Sequence, residues 1–138
     1  KTYHILSNLI KYAGKHQTPS TPNVLNIYLL GKVIEDMLNR GIAMIRNETV
    51  YKSAILYNML DRHEKLTPFV TDPKLRSNTV VVIESGDHTA ELIDFLAQKK
   101  MIIGSGYGSK KNTQVRIANF PTHSKEQFEM LTDLIEQW

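Results

Sequence analysis

The chain has 138 residues, 41% apolar and 22% charged, the balance of one ordinary globular domain rather than a disordered segment. Cysteine is absent, which excludes a disulfide framework, a thiolate zinc site and a cysteine nucleophile. Seventeen Lys and Arg against fourteen Asp and Glu give +3, and only Lys99-Lys100 and Lys110-Lys111 cluster, so no nucleic-acid footprint stands out.

No apolar run reaches the roughly 18 residues of a membrane span, and no secretory pattern opens the chain. Tyr3, Leu6, Leu9, Ile10 and Ala13 recur at helical spacing and predict a helix over residues 1–14, with Gly14 as its C-cap. Two prolines and several hydroxyl residues make 15–23 a loop. Thr21 reads as an N-cap and Pro22 as the first turn of a second helix running to Arg40. Gly41 ends it, and a third helix is expected over 42–64. Met44, Tyr51, Ala54, Ile55, Asn58 and Met59 fall on one side of this helix, while Arg46, Glu48, Lys52 and Arg62 fall on others. Two long helices meeting at one glycine suggest a bent pair.

After Pro68 the period changes. Phe69-Val70 reads as extended, and Asp72-Pro73 and Ser77-Asn78 as turns. The β-branched run Thr79-Val80-Val81-Val82-Ile83 predicts a strand. A helix is expected from Asp87 or His88 to Lys99-Lys100, whose charges suit the negative end of a helix dipole. Met101-Ile102-Ile103 reads as a short strand or edge, residues 104–109 as a flexible glycine-rich loop, and Gln114-Val115-Arg116-Ile117-Ala118 as a half-exposed strand. Ser124 and Gln127 fit a capping box opening a last helix. Helices followed by a small β/α unit argue an α+β fold, an antiparallel or mixed sheet with helices packed on one side.

Little in the sequence is complete chemistry. Gly104-Ser105-Gly106-Tyr107-Gly108 does not match G-x-G-x-x-G, because its third glycine comes one residue early. It also precedes a strand rather than a helix, so it reads as a mobile, possible substrate-facing loop. His4, His16, His63, His88 and His123 show no metal-ligand spacing, and no metal site is expected. Glu35-Asp36 and Asp61/Glu64 read as solvated helix charges. Arg116 stands opposite Val115 and Ile117. An arginine so placed is commonly a surface ion pair, but its planar fork can also hold a carboxylate through two parallel hydrogen bonds. The hydroxyls of residues 18–21 are either a plain helix cap or an anion site for a phosphate.

Three segments together resemble a known family. Thr21-Pro22-Asn23-Val24-Leu25-Asn26-Ile27-Tyr28-Leu29-Leu30-Gly31 resembles the junction of large and small domains in class V pyridoxal-phosphate aminotransferases, the phosphoserine aminotransferase branch above all. Gln114 to Pro121 resembles that family's strand carrying the substrate-carboxylate arginine. The long helix pair and the valine-rich strand fall between them in the family's order.

The resemblance implies the small domain of a homodimeric fold-type I enzyme that uses pyridoxal phosphate on a lysine Schiff base. It also implies amino acid and 2-oxo acid substrates, and a cytoplasmic location. Residues 1–21 correspond to the tail of the large domain and 22–138 to the small domain. The cofactor lysine falls ahead of the matched region, and Lys1 in place of a methionine suits a chain that starts mid-protein.

Thr21, with Ser20 beside it, matches the motif that reaches the cofactor phosphate of the other subunit. Arg116 matches the α-carboxylate arginine. Where the branch carries a His-Arg pair for the substrate phosphate, this chain has Ser109-Lys110. Lys110 is thus the implied phosphate contact, as a point charge, and serine, alanine or another donor stands beside phosphoserine. The competing reading is a stand-alone α+β module that binds small acids through Arg116 and Lys110, or mediates dimerisation, without catalysis.

Overall fold

The computed structural model describes residues 5–138, so the part of the first expected helix over residues 1–4 lies outside the described residues. The chain divides into two compact units, one ending at Arg40 and one spanning Gly41–Trp138.

The first unit holds α1 (Leu6–Ala13) and α2 (Val24–Arg40). Gly14 caps α1 as expected, its N–H donating to the Ile10 carbonyl. The start of α2 differs from the expectation at Thr21. Asn23 is the capping residue, its Oδ1 accepting from the Asn26 N–H at 3.1 Å. Asparagine is as good an N-cap as threonine, and it stands next to the first helical residue, Val24, where its oxygen reaches the unpaired N–H groups. The apolar stripe of α2 is periodic, yet no residue of α2 is buried.

In the second unit α3 (Ile42–Leu60) follows Gly41, whose φ is 87°. It stops four residues short of Glu64, and Asp61 is its C-cap. Its buried face also differs from the expected one: Ile45, Lys52, Ser53, Leu56, Tyr57, Met59 and Leu60 are buried, whereas Met44 and Tyr51 are exposed. Lys52, expected on the outside because of its charge, is buried, and its ammonium donates to the carbonyls of Phe120 at 3.0 Å and His123 at 2.8 Å. A lysine supplied with such acceptors can be buried without an orphaned charge.

Four strands form one antiparallel sheet in the order β1-β2-β4-β3. They are β1 (Thr67–Pro68), β2 (Val80–Glu84), β3 (Gly104–Ser105) and β4 (Gln114–Ala118). The third strand is a correction: pairing falls on the glycine-rich segment and not on Met101-Ile102-Ile103. Ser105 and Gly104 register with Val115 and Arg116. Likewise β1 lies at Thr67–Pro68, just before the expected extended pair, and the Phe69 N–H still donates to the Val82 carbonyl. Pro68 is tolerated because β1 is an edge strand.

Helices α4 (Thr89–Gln98) and α5 (Lys125–Gln137) complete the unit. A short turn over Gly86–His88 delays the start of α4 to Thr89. The capping box of α5 is present in both directions: Ser124 Oγ accepts from the Gln127 N–H at 3.2 Å, and Gln127 Oε1 accepts from the Ser124 N–H at 3.0 Å.

One sheet face carries Val81, Ile83, Val115 and Ile117, which join Leu56, Leu60, Leu92, Leu96, Phe128 and Ile135 of the three helices in a single core. Burial of each such side chain contributes about 1.5–3 kcal/mol. The fold is therefore α+β, with helices on one side of a small antiparallel sheet. Because side chains alternate along a strand, the opposite face carries Val80, Val82, Glu84, Gln114, Arg116 and Ala118. That face carries Arg116, the candidate carboxylate-binding residue.

Candidate functional site

Arg116 sits in the middle of β4, between Val82 of β2 and Gly104 of β3. Its two neighbours in sequence, Val115 and Ile117, are anchored in the core. The alternation of the strand thus aims the guanidinium away from the core, where the side chain is half-buried. Its Nε donates to the Ser105 carbonyl at 2.8 Å. The ring of Tyr107 lies 3.6 Å from the guanidinium carbon. Among the described residues, neither terminal nitrogen has a hydrogen-bond partner and no carboxylate pairs with the fork.

The glycines of the neighbouring segment are there to make room. A Cβ on Gly106 would lie 2.2 Å from the Lys110 carbonyl oxygen and 2.9 Å from the Gln114 Cβ. Instead the Gly106 N–H donates to the Gln114 carbonyl at 2.7 Å, drawing the segment against β4. A Cβ on Gly104 would stand 3.3 Å from Arg116 Nη2 and crowd the fork. The pattern that fails as a nucleotide motif therefore has a different use: it lets backbone approach an arginine closely.

Lys110 ends the short turn Gly108–Lys110. Its ammonium is 3.7 Å from Glu84 Oε1. The same carboxylate oxygen accepts from Gln114 Nε2 at 2.7 Å. Glu84 and Gln114 face each other across β2 and β4, two residues along from Val82 and Arg116, a step of about 7 Å. Arg116 and Lys110 are thus associated with one sheet face, and Lys110 already has an acidic neighbour.

A cleft of about 400 Å³ begins at Arg116 and Gly104. Its other walls include Ile103, Ala118, Phe120 and His123. The turn from Phe120 to His123 is the one whose carbonyls Lys52 binds. Asn119 pins the start of this turn, donating from Nδ2 to the carbonyls of Thr49 and Asn78, both at 2.8 Å.

Ser20 and Thr21 belong to the other unit. They are exposed on the segment between α1 and α2, where Thr18 Oγ1 donates to the Ser20 carbonyl at 2.6 Å. Because Asn23 caps α2, the Thr21 hydroxyl is not used as a cap.

The sequence marks the segment holding Ser105 and Tyr107 as substrate-facing, but it does not show their contacts with Arg116 or the pairing of Glu84 with Gln114. A tyrosine flanked by glycines nine residues ahead of an arginine is the available signal, but only the pairing of β3 with β4 brings the two together. Asp61 is exposed, as expected of a solvated helix charge, but it also has a partner that the sequence did not indicate. Arg76 holds it with two hydrogen bonds, at 2.7 and 2.5 Å, and these bonds keep its carboxyl below the ordinary carboxylate range. The Tyr57 ring lies 4.8 Å from the Arg76 guanidinium, and burial pushes its hydroxyl up. This cluster tethers the segment leading into β2 to the end of α3.

No protein-family model matches the chain. The curated phosphoserine aminotransferase of Rhodococcus opacus is 32% identical over 128 residues, which are 90% of this chain and 34% of that protein. The crystal structure of a phosphoserine aminotransferase from Cytophaga hutchinsonii superposes with a TM-score of 0.86 at 41% identity, over 99% of this chain and 38% of that one. A pyridoxal-phosphate-bound phosphoserine aminotransferase from Trichomonas vaginalis shares the fold, with a TM-score of 0.81 at 16% identity, over 99% of this chain and 39% of that one. By sequence and by fold, this chain is similar to phosphoserine aminotransferases, and it spans about a third of the length of the relatives it matches.

Proposed function

We propose that this chain is the small domain of a pyridoxal-phosphate-dependent aminotransferase, which moves an amino group from a phosphoserine-like or serine-like amino acid to a 2-oxo acid. Residues 1–21 are then the tail of the large domain, and 22–138 the small domain. The intact enzyme is a cytoplasmic homodimer. The observation that carries this reading is the fork of Arg116: half-buried, tied at Nε and without a carboxylate partner among the described residues, in a chain similar to phosphoserine aminotransferases.

Arg116 binds the α-carboxylate of the amino acid through its two terminal nitrogens. Two parallel charge-assisted hydrogen bonds set both position and plane, and so hold the bond between Cα and its hydrogen in one orientation. Lys110 meets an anionic group on the substrate side chain as a point charge. Glu84 offsets part of that charge, which favours a singly charged or neutral side chain more than an arginine at that place would.

The residues of the α1–α2 segment fit a phosphate. The residues Ser20 and Thr21 are exposed, and the N–H groups of Thr18, Ser20 and Thr21 make no backbone hydrogen bond among the described residues. Thr21, with Ser20, would hold the cofactor phosphate of the partner subunit. When bound, pyridoxal phosphate supplies an electron sink for the pair left as the Cα proton departs. The lysine that carries it lies outside this chain. Lys52, the buried lysine, is committed to two carbonyls instead.

The chain alone is then inactive. Incubating it with pyridoxal phosphate and borohydride is expected to give no stoichiometric adduct. Reduction onto one specific lysine would overturn this reading and favour a self-contained activity. For the full-length protein, transamination between O-phospho-L-serine or L-serine and a 2-oxo acid is the expected result.

A further inference from the structure

Tyr107 is three-quarters exposed, although it is a large aromatic on a short glycine-bounded segment. Exposure of that kind is informative when the ring makes one defined contact. Here the contact is the Arg116 guanidinium, 3.6 Å away. The backbone on either side of the ring is held in place: the Gly106 N–H donates to the Gln114 carbonyl at 2.7 Å, and the Lys110 N–H donates to the Tyr107 carbonyl at 2.9 Å.

We infer that Tyr107 is a positioning residue for the carboxylate-binding arginine, an inference that rests on the reading of Arg116 given above. An arginine side chain has several rotatable bonds and about 2 kcal/mol of rotamer entropy. The Nε bond to the Ser105 carbonyl fixes one edge of the fork but leaves its plane free to tilt about that bond. A ring stacked on one face removes the tilt. The negative face of the aromatic ring also attracts the cation, and its surface keeps water from one side of the fork. Gly104 leaves space beside Nη2 on the other strand. The outer edge of the fork is what remains for a carboxylate. The ring carries the effect, and the phenol hydroxyl has no part in it.

The test uses the full-length protein with bound cofactor and its amino donor, O-phospho-L-serine or L-serine. Tyr107→Leu is expected to raise KM for the donor about fivefold and to leave kcat within twofold, the range of a cation–ring contact of this exposure. Tyr107→Phe is expected to match the unsubstituted protein. Inhibition by the matching amine without a carboxylate, O-phosphoethanolamine or ethanolamine, is expected to be unchanged in both variants. Because the side chain lies outside the core, neither substitution threatens folding.

Three results would overturn the inference: no change in KM for Tyr107→Leu, an equal change for Tyr107→Phe, or an equal loss of inhibition by the amine. Arg116→Ala separates this from the broader reading. If it raises KM while Tyr107→Leu does not, only the stacking role fails. If Arg116→Ala itself has no effect, the carboxylate reading fails and the positioning role falls with it.

Discussion

Arg116→Ala in the full-length protein is the sharpest single perturbation of the site. The fork has two free terminal nitrogens, and each charge-assisted hydrogen bond to a carboxylate contributes about 1.5 kcal/mol or more. Losing both costs about 3 kcal/mol, which at 1.36 kcal/mol per tenfold is a drop of roughly 150-fold in kcat/KM for the amino donor. Arg116→Lys keeps the charge and one hydrogen bond but not the paired geometry, so about a tenfold drop is expected. The loss should fall on KM first, because the carboxylate is bound in the ground state as well. Steady-state rates against donor concentration separate the two terms. The amine without a carboxylate supplies the control, since its inhibition constant should not respond to either variant. An unchanged kcat/KM in Arg116→Ala would refute the role of Arg116, whatever the activity of the enzyme. Neither variant should unfold the protein, because the guanidinium has one hydrogen bond to protein and the strand is held by Val115 and Ile117.

Other consequences follow from the scaffold. Lys52→Met leaves the carbonyls of Phe120 and His123 without their donor, and a loss of about 2–4 kcal/mol is expected in urea unfolding. A stability equal to the unsubstituted chain would show that the buried ammonium contributes nothing net. Gly106→Ala must displace the backbone at Lys110, where its Cβ would meet the carbonyl oxygen at 2.2 Å. It should therefore weaken donor binding as well as stability, and a variant with normal KM would mean that the loop relaxes freely. Asp61→Asn removes the carboxylate held by Arg76. Since the folded carboxyl is depressed below its ordinary 3.8, the stabilisation is complete above that value and fades as pH falls through the folded one. The gap between Asp61→Asn and the unsubstituted protein, read by thermal melts, should thus be constant near neutrality and close in acid. A gap independent of pH would exclude the ion pair as its source.

The elements legible in the sequence are those whose signal is local. Val80 to Ile83 are consecutive β-branched residues, Gln114 to Ala118 alternate, and Ser124 with Gln127 form a reciprocal cap within one turn; each needs only its neighbours, and each is found where expected. Residue order likewise carried the resemblance to the phosphoserine aminotransferases. What the sequence could not decide depends on partners far along the chain. Lys52 looked like a surface charge because its acceptors at Phe120 and His123 lie about 70 positions away. The third strand was misplaced because Met101-Ile102-Ile103 has the better strand composition, whereas pairing is decided by which backbone meets β4. The same register brings Ser105 and Tyr107 onto Arg116. Sequence by itself determined that an arginine would face away from a valine and an isoleucine on a strand. Only the tertiary structure decided that its carboxylate partner is absent among the described residues, that its plane is held by a carbonyl and a ring, and that its terminal nitrogens are left without a partner. Hydrogen bonds and stacking act over a few ångströms in space, and nothing in residue order alone states which distant groups will come that close.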